Sequence, residues 1–341
     1  EVVSEMEYDL AKRRNIPGHR IIFNGPYKAE AAFKDAALTG ATLNLDSHRD
    51  VEMLQAVADA HPDKRISVVL RCNFALHDGG DISRFGMDTA GPEFAKALEV
   101  INATPALYLK GLHCHFPDRD LVSFGIRAQK MVALLRHVFP DGPPEVVNIG
   151  GGYFSNMPDS LRAQFSAPPA TFADYGARVG AILRQAFDGV QPPALFLEPG
   201  TAIVADTQSF YTQVISTKTV RGKNFATVAG SAFDISPTAR SRGLPVTPVL
   251  GDQDRAPAEA QSFDVVGYTC IEKDILSEDL IAPLRAGDYL RYDNVGSYSV
   301  VMRPPFILPA NPVLFDDVDG NDLHLIKRRQ TTDDVFANFT F

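Results

Sequence analysis

A chain of 341 residues, 45% hydrophobic and 22% charged, is long enough for a large core divided over two domains. Its formal net charge is −9, from 33 Lys and Arg against 42 Asp and Glu. The charge is spread without a basic block, which argues against nucleic acid or an anionic membrane surface as a partner. Three cysteines, Cys72, Cys114 and Cys270, with no CxxC pair, exclude a disulfide framework and suit a reducing, cytoplasmic setting. No apolar run approaches the ~20 residues of a membrane helix.

In chain order, RIIFN (20–24) reads as a strand and KAEAAFKDAALTG (28–40) as a helix stopped by a glycine. ATLNLD (41–46) is a strand, and VEMLQAVADAH (51–61) a helix that Ser47 or Asp50 would cap. RISVVLRCN (65–73) is the next strand; after a Gly/Asp-rich loop, PEFAKALEVINA (92–103) is helical. YLKGLHCHF (108–116) is a strand and LVSFGIRAQKMVALLRHVF (121–139) an amphipathic helix. EVVNIGGG (145–152), a helix around 172–187 and the strand ALFLEPG (194–200) complete the run.

Short apolar strands alternating with helices imply a parallel sheet covered by helices. Six strands are visible from RIIFN to ALFLEPG, and EVVS (1–4) reads as the tail of one more. A closed (β/α) barrel needs eight. The expectation is a (β/α)8 TIM-like barrel over 1–205 that lacks its first strand, with that strand upstream of Glu1.

After about residue 205 the pattern changes. SFYTQVISTKTV (209–220), FATVAGSAF (225–233), SFDVVGYTC (262–270), DYLRYDN (288–294) and SYSVVM (297–302) are β-rich, around a polar Pro/Gly-rich stretch at 236–261. A second, antiparallel β domain over 206–341 is expected.

Candidate chemistry falls at strand carboxyl ends, where parallel α/β folds bind ligands. Gly150, Gly151 and Gly152 would let backbone N–H groups approach a phosphate, or would simply serve a tight turn with positive φ. His113 and His115, two apart on a strand, face one side with Cys114 opposite. They suit a metal, a stacked ring, or a buried hydrogen-bonded role; no third ligand of clear spacing supports zinc. Glu198, closing an apolar strand, needs a cationic ligand atom or a basic side chain. Cys270 reads by itself as an inert cysteine. No G-x-S-x-G elbow, P-loop or H-E-x-x-H occurs.

The ordered fragments IIFNGPYK, GLHCHF, NIGGGYF, EPGTAIVA, GYTCIEKD and GDYLRYDNVGSYSVVM resemble the ornithine/diaminopimelate/arginine decarboxylase family over essentially the whole chain. The resemblance implies an alanine-racemase-like barrel with a C-terminal β domain, and pyridoxal 5'-phosphate as cofactor. It implies that His115 stacks on the pyridine ring, that Gly150, Gly151, Gly152, Gly200 and Tyr298 lie at the cofactor and its phosphate, and that Glu198 pairs with the ring nitrogen. A protonated ring is the better electron sink for the carbanion left by departing CO2. Cys270 matches the cysteine that reaches the site of the partner subunit and helps protonate that carbanion, so a homodimer with shared sites is implied. The Schiff-base lysine of the family lies on the first barrel strand, upstream of Glu1; Lys28, in NGPYK, is not at that position.

Three departures bear on the substrate, a small amino-acid-like molecule. Phe116-Pro117-Asp118 replaces a common Gly-Ser after the histidine, and Thr201 replaces a common phosphate-binding arginine. Ile271 stands where an acidic residue often reads the substrate's distal amine, with Glu272 and Asp274 nearby as substitutes. Together they point away from plain ornithine, lysine or arginine and toward a larger amino-acid conjugate, as in siderophore or natural-product branches. The alternatives are a racemase on the same fold and a non-catalytic homologue acting as a binding protein.

Overall fold

The computed structural model describes residues 1–235, 243–249, 251, 259–317 and 322–340. The chain divides into two compact units, Glu1–Phe154 with Ala170–Gly200, and Ser155–Pro169 with Thr201–Phe341. The first unit therefore ends at Gly200, before the 205/206 boundary read from the sequence.

The first unit is a series of strand–helix repeats. Helix α1 (Glu5–Arg13) opens on Ser4, whose hydroxyl accepts from Glu7 N–H at 3.2 Å. Then follow β1 (Ile22–Phe23), α2 (Glu30–Leu38), β2 (Thr42–Leu45), α3 (His48–Ala60), β3 (Ile66–Asn73), β4 (Met87–Asp88), α4 (Pro92–Ala103) and β5 (Leu107–His113). Next come α5 (Leu121–Val138), β6 (Val146–Asn148), the short α6 (Asp159–Arg162) of the second unit, α7 (Phe172–Ala186) and β7 (Ala194–Phe196). The strands run in the order β1-β2-β3-β5-β6-β7, all parallel, with β4 attached to β3. A parallel bridge from Val2 to Phe23 adds one more rung beyond β1, where EVVS was read as a strand tail.

The core is formed where both faces of the sheet are covered: Phe23, Leu43, Leu45, Val68, Leu70, Leu112, Val147 and Ile149 are fully buried. At the far edge β7 has β6 as its hydrogen-bonded neighbour, and Leu195 and Leu197 are exposed. Neither predicted cap of α3 acts as one. Ser47 occupies the cap position without a side-chain bond, and Asp50 is buried against Lys28 Nζ at 2.8 Å.

The second unit is β-rich. After α8 (Gly200–Val204) come β8 (Phe210–Val220), β9 (Lys223–Val228), β10 (Val246–Val249), β11 (Gln261–Val266), β12 (Ile275–Ala282) and β13 (Tyr289–Tyr292). They form one sheet in the order β10-β13-β8-β9-β11-β12, antiparallel except between β9 and β11. Val214, Ala226, Val228, Val265, Leu290 and Tyr292 make its core. Much of the polar stretch read at 236–261 lies outside the described residues, but β10 falls within it. The segment 297–302, expected to be β-rich, is a turn of helix, α9 (Ser299–Met302), entered through Tyr298 at φ 64°. That left-handed residue turns the chain and breaks the strand the apolar run suggested. A hairpin of β14 (Val313–Asp316) and β15 (Leu323–Lys327) follows.

Candidate active site

The carboxyl ends of β5, β6 and β7 bring three sequence-predicted residues together. His113 ends β5, His115 lies two residues on, and Glu198 lies two residues beyond β7. His113 and His115 approach one carboxylate, as their spacing on an extended backbone requires. His115 Nδ1 lies 3.0 Å from Glu198 Oε2, and His113 Nε2 lies 3.2 Å from Oε1. The His113 contact lacks hydrogen-bond alignment. Asn148 Nδ2 donates to Glu198 Oε1 at 2.8 Å.

Burial pushes the Glu198 carboxyl up, but His113 and His115 outweigh it and hold its pKa well below the usual carboxylate range. Burial lowers the pKa of His113, and the Glu198 carboxylate beside it opposes that shift. Glu198 is a carboxylate and can only accept, so His115 Nδ1 carries the proton between them. The 3.3 Å approach of Gly151 N–H to that same nitrogen is then not a hydrogen bond. Gly152 N–H has no acceptor among the described residues. The glycine turn thus leaves two adjacent N–H groups without acceptors, a nest for an anion.

What forbids side chains in the triplet is the protein itself. A Cβ on Gly150 would lie 2.5 Å from Cys114 O, and one on Gly151 would lie 2.2 Å from Glu198 O. Gly150 and Gly152 also have φ of 71° and 98°. A Cβ on Gly200 meets nothing within 4 Å. An open cavity of about 340 Å³, within the size of small-ligand sites, is lined by Ile22, Asn148, Phe196, Leu197 and Glu198, among others.

Sequence reading missed Asn148 and Arg127. Arg127, on α5, is fully buried, and its guanidinium donates to Gly151 O at 2.9 Å, to Phe116 O at 3.0 Å and to Asp118 O. A signal for it exists. Phe124, Arg127, Ala128, Met131 and Leu135 share one stripe of α5, so the arginine stands where an apolar residue is expected.

The other sequence-predicted residues belong to the second unit. Cys270 is exposed, in the turn between β11 and β12. Asp274 is buried: Oδ1 accepts from Ser231 Oγ at 2.9 Å and Ala232 N–H at 2.7 Å, and Oδ2 from Thr269 N–H at 3.1 Å. Glu272 is exposed, and Tyr298 is half exposed.

A parallel strand–helix unit followed by a β-rich domain is the architecture of the alanine-racemase-like fold. The chain belongs to the pyridoxal-dependent decarboxylases: residues 1–205 match that family's pyridoxal-binding domain. It is 28% identical to the diaminopimelate decarboxylase of Mycobacterium leprae, over 99% of this chain and 75% of that protein. It is 27% identical to that of Deinococcus radiodurans, over 99% of this chain and 82% of the relative. The structure of diaminopimelate decarboxylase from M. jannaschii in complex with L-lysine superposes with a TM-score of 0.86 at 21% identity, covering 100% of this chain and 79% of that one. The chain is thus a pyridoxal-phosphate-dependent amino-acid decarboxylase, a carboxy-lyase. Its residues fit the cofactor. An ionised carboxylate, Glu198, stands at a cavity wall, where a cationic ring atom would be paired, and the glycine turn offers two N–H groups to an anion. Among the described residues no helix is long and apolar enough to cross a membrane.

Proposed function

We propose that the reaction is loss of the α-carboxylate from a diamino-dicarboxylic acid of the diaminopimelate type, with proton return at the same carbon. The observation that carries the site assignment is the convergence on one ionised carboxylate, Glu198, of His113, His115 and Asn148. Bound pyridoxal phosphate supplies the electron sink for the bond to CO2. Glu198 contributes a fixed negative charge that holds a proton on the ring nitrogen. His115 is oriented by its Nδ1–H bond to Glu198 and presents its ring as a wall, while Gly151 and Gly152 N–H hold the phosphate. The exposed Cys270 thiol returns the proton to a site shared within a homodimer of cytoplasmic location, with Tyr298 and Glu272 assisting at phosphate and substrate. Asp274 serves by shaping the turn that presents Cys270, because Oδ2 accepts from Thr269 N–H of its own loop while Oδ1 is held by Ser231 and Ala232.

The substrate class rests on the names of the relatives. A second reading, a larger amino-acid conjugate, is favoured by Ile271, a neutral and 38% exposed side chain beside Cys270. None of the relatives named above carries a siderophore or natural-product name. The test is incubation of the full-length protein and cofactor with diaminopimelate in D2O. Loss of CO2 with one deuterium at the reacting carbon supports the proposal. Inversion without mass loss would make the protein a racemase, and no turnover of diaminopimelate or of conjugates would make it a binding homologue.

A further inference from the structure

Arg127 carries a charge that the decarboxylation chemistry described above does not use. Its side chain is fully buried, yet its three hydrogen bonds all go to neutral carbonyls, those of Gly151, Phe116 and Asp118. Its Nε has no partner. The Phe124 and Phe116 rings lie over it, with centroids 4.2 Å and 5.7 Å from Cζ, and the Asp118 and Asp120 carboxylates act on it through charge without a hydrogen bond to it among the described residues. A buried cation without a carboxylate on it is expensive. Apolar and neutral groups would hold the same loop at lower cost, so the charge needs a reason.

That reason lies on the other side of the glycine turn. Arg127 Nη1 bonds the carbonyl of Gly151 and lies 3.9 Å from where a Cβ of Gly152 would be. The N–H groups of Gly151 and Gly152, which lack acceptors, belong to this same turn. Binding a guanidinium at a carbonyl also polarises the peptide unit, strengthening the N–H of Gly152 as a donor.

We propose that Arg127 is the electrostatic anchor of the phosphate end of the site. Without touching the ligand, it clamps the Gly151–Gly152 turn against the Phe116–Asp118 segment and supplies, through one peptide layer, the positive charge that holds a phosphate dianion. The proposal rests on the reading of the glycine turn as the phosphate nest. Burial lowers the Arg127 pKa, and a neighbouring dianion would offset that cost. In the low-dielectric interior such attraction persists over a peptide layer that would abolish it in water.

The test compares two ligands that differ only in the phosphate. Full-length protein stripped of cofactor is titrated with pyridoxal 5'-phosphate and with pyridoxal, as wild type, Arg127→Gln and Arg127→Lys. Wild-type protein should prefer the phosphorylated ligand; no preference would refute the glycine-turn reading before Arg127 is tested at all. Given that preference, Arg127→Gln should lose about tenfold or more in affinity for pyridoxal 5'-phosphate and little for pyridoxal, with a flatter salt dependence. Equal losses for both ligands would make Arg127 a structural clamp only, and no loss would remove it from the site. Arg127→Lys keeps the charge and cannot span three carbonyls. It should weaken both ligands while keeping the preference within about twofold. A lost preference in that variant would overturn the electrostatic part even if Arg127→Gln does not fold.

Discussion

The side-chain amide of Asn148 ties Glu198 to the glycine turn: Nδ2 donates to Glu198 Oε1 at 2.8 Å, while Oδ1 accepts from Gly150 N–H at 2.9 Å. Its orientation is fixed by chemistry, because a carboxylate requires a donor and an N–H requires an acceptor. One residue thereby sets both the carboxylate and the glycine turn.

Asn148→Asp should break that tie. The new carboxylate keeps the bond to Gly150 but faces Glu198, which it pushes up toward protonation. Cofactor affinity should fall by about tenfold or more at pH 7 and recover partly in the double variant with Glu198→Gln. Additive losses in the double variant would show that the two side chains do not communicate.

Glu198→Gln removes the charge while retaining the shape. Turnover should fall by on the order of 10²-fold if the carboxylate holds the ring proton. Stability offers a second readout. The folded-state pKa of Glu198 is depressed, so the unfolded chain binds its proton first as pH falls. The stabilisation is complete above the ordinary carboxylate value of 4.5 and is lost progressively below it. Denaturant titrations from pH 7 to 3 should therefore show a shallower acid-side loss in Glu198→Gln than in wild type.

Gly151→Ala tests the close approach of β6 and β7 at the turn. Its methyl would sit 2.2 Å from Glu198 O and 3.2 Å from His115 Cε1, so backbone must move. A loss of about 1–3 kcal/mol in stability is expected, together with weaker cofactor binding. Unchanged melting and unchanged affinity would contradict the packing described here.

Asp274 and its neighbours in the β11–β12 turn separate structure from chemistry. Asp274→Ala leaves two buried donors and one part-buried donor without their acceptor and should cost about 2–4 kcal/mol of stability. Cys270→Ala and Glu272→Gln, at exposed positions, should stay within about 0.5 kcal/mol of wild type. Cys270→Ala should slow proton return without loss of cofactor, and Glu272→Gln should alter KM. Cofactor loss in Cys270→Ala would remove the thiol from its assigned role.

The strand–helix run was legible because each strand is a short apolar block bounded by turn residues, and helix amphipathicity is periodic. Residues 41–46 and 65–73 map onto β2 and β3 almost residue for residue. Met87–Asp88 was not legible, since a two-residue strand carries no period. SYSVVM was misread because an apolar pair looks the same in a strand and in a short helix, and the left-handed Tyr298 leaves no trace in composition. His115 and Glu198 could be named from motifs. Their meeting, and the parts played by Asn148 and Arg127, depend on contacts between segments far apart in sequence.

The contrast among the glycines sets out where this site can be redesigned. At Gly150 and Gly151 the neighbouring backbone occupies the space a side chain would need, so a mutant library there would return mostly damaged protein. At Gly200 a methyl group meets no atom within 4 Å, and the backbone lies outside the left-handed region. An added methyl group is thus tolerated by packing at Gly200, two residues from the central carboxylate, and opposed by backbone in the triplet.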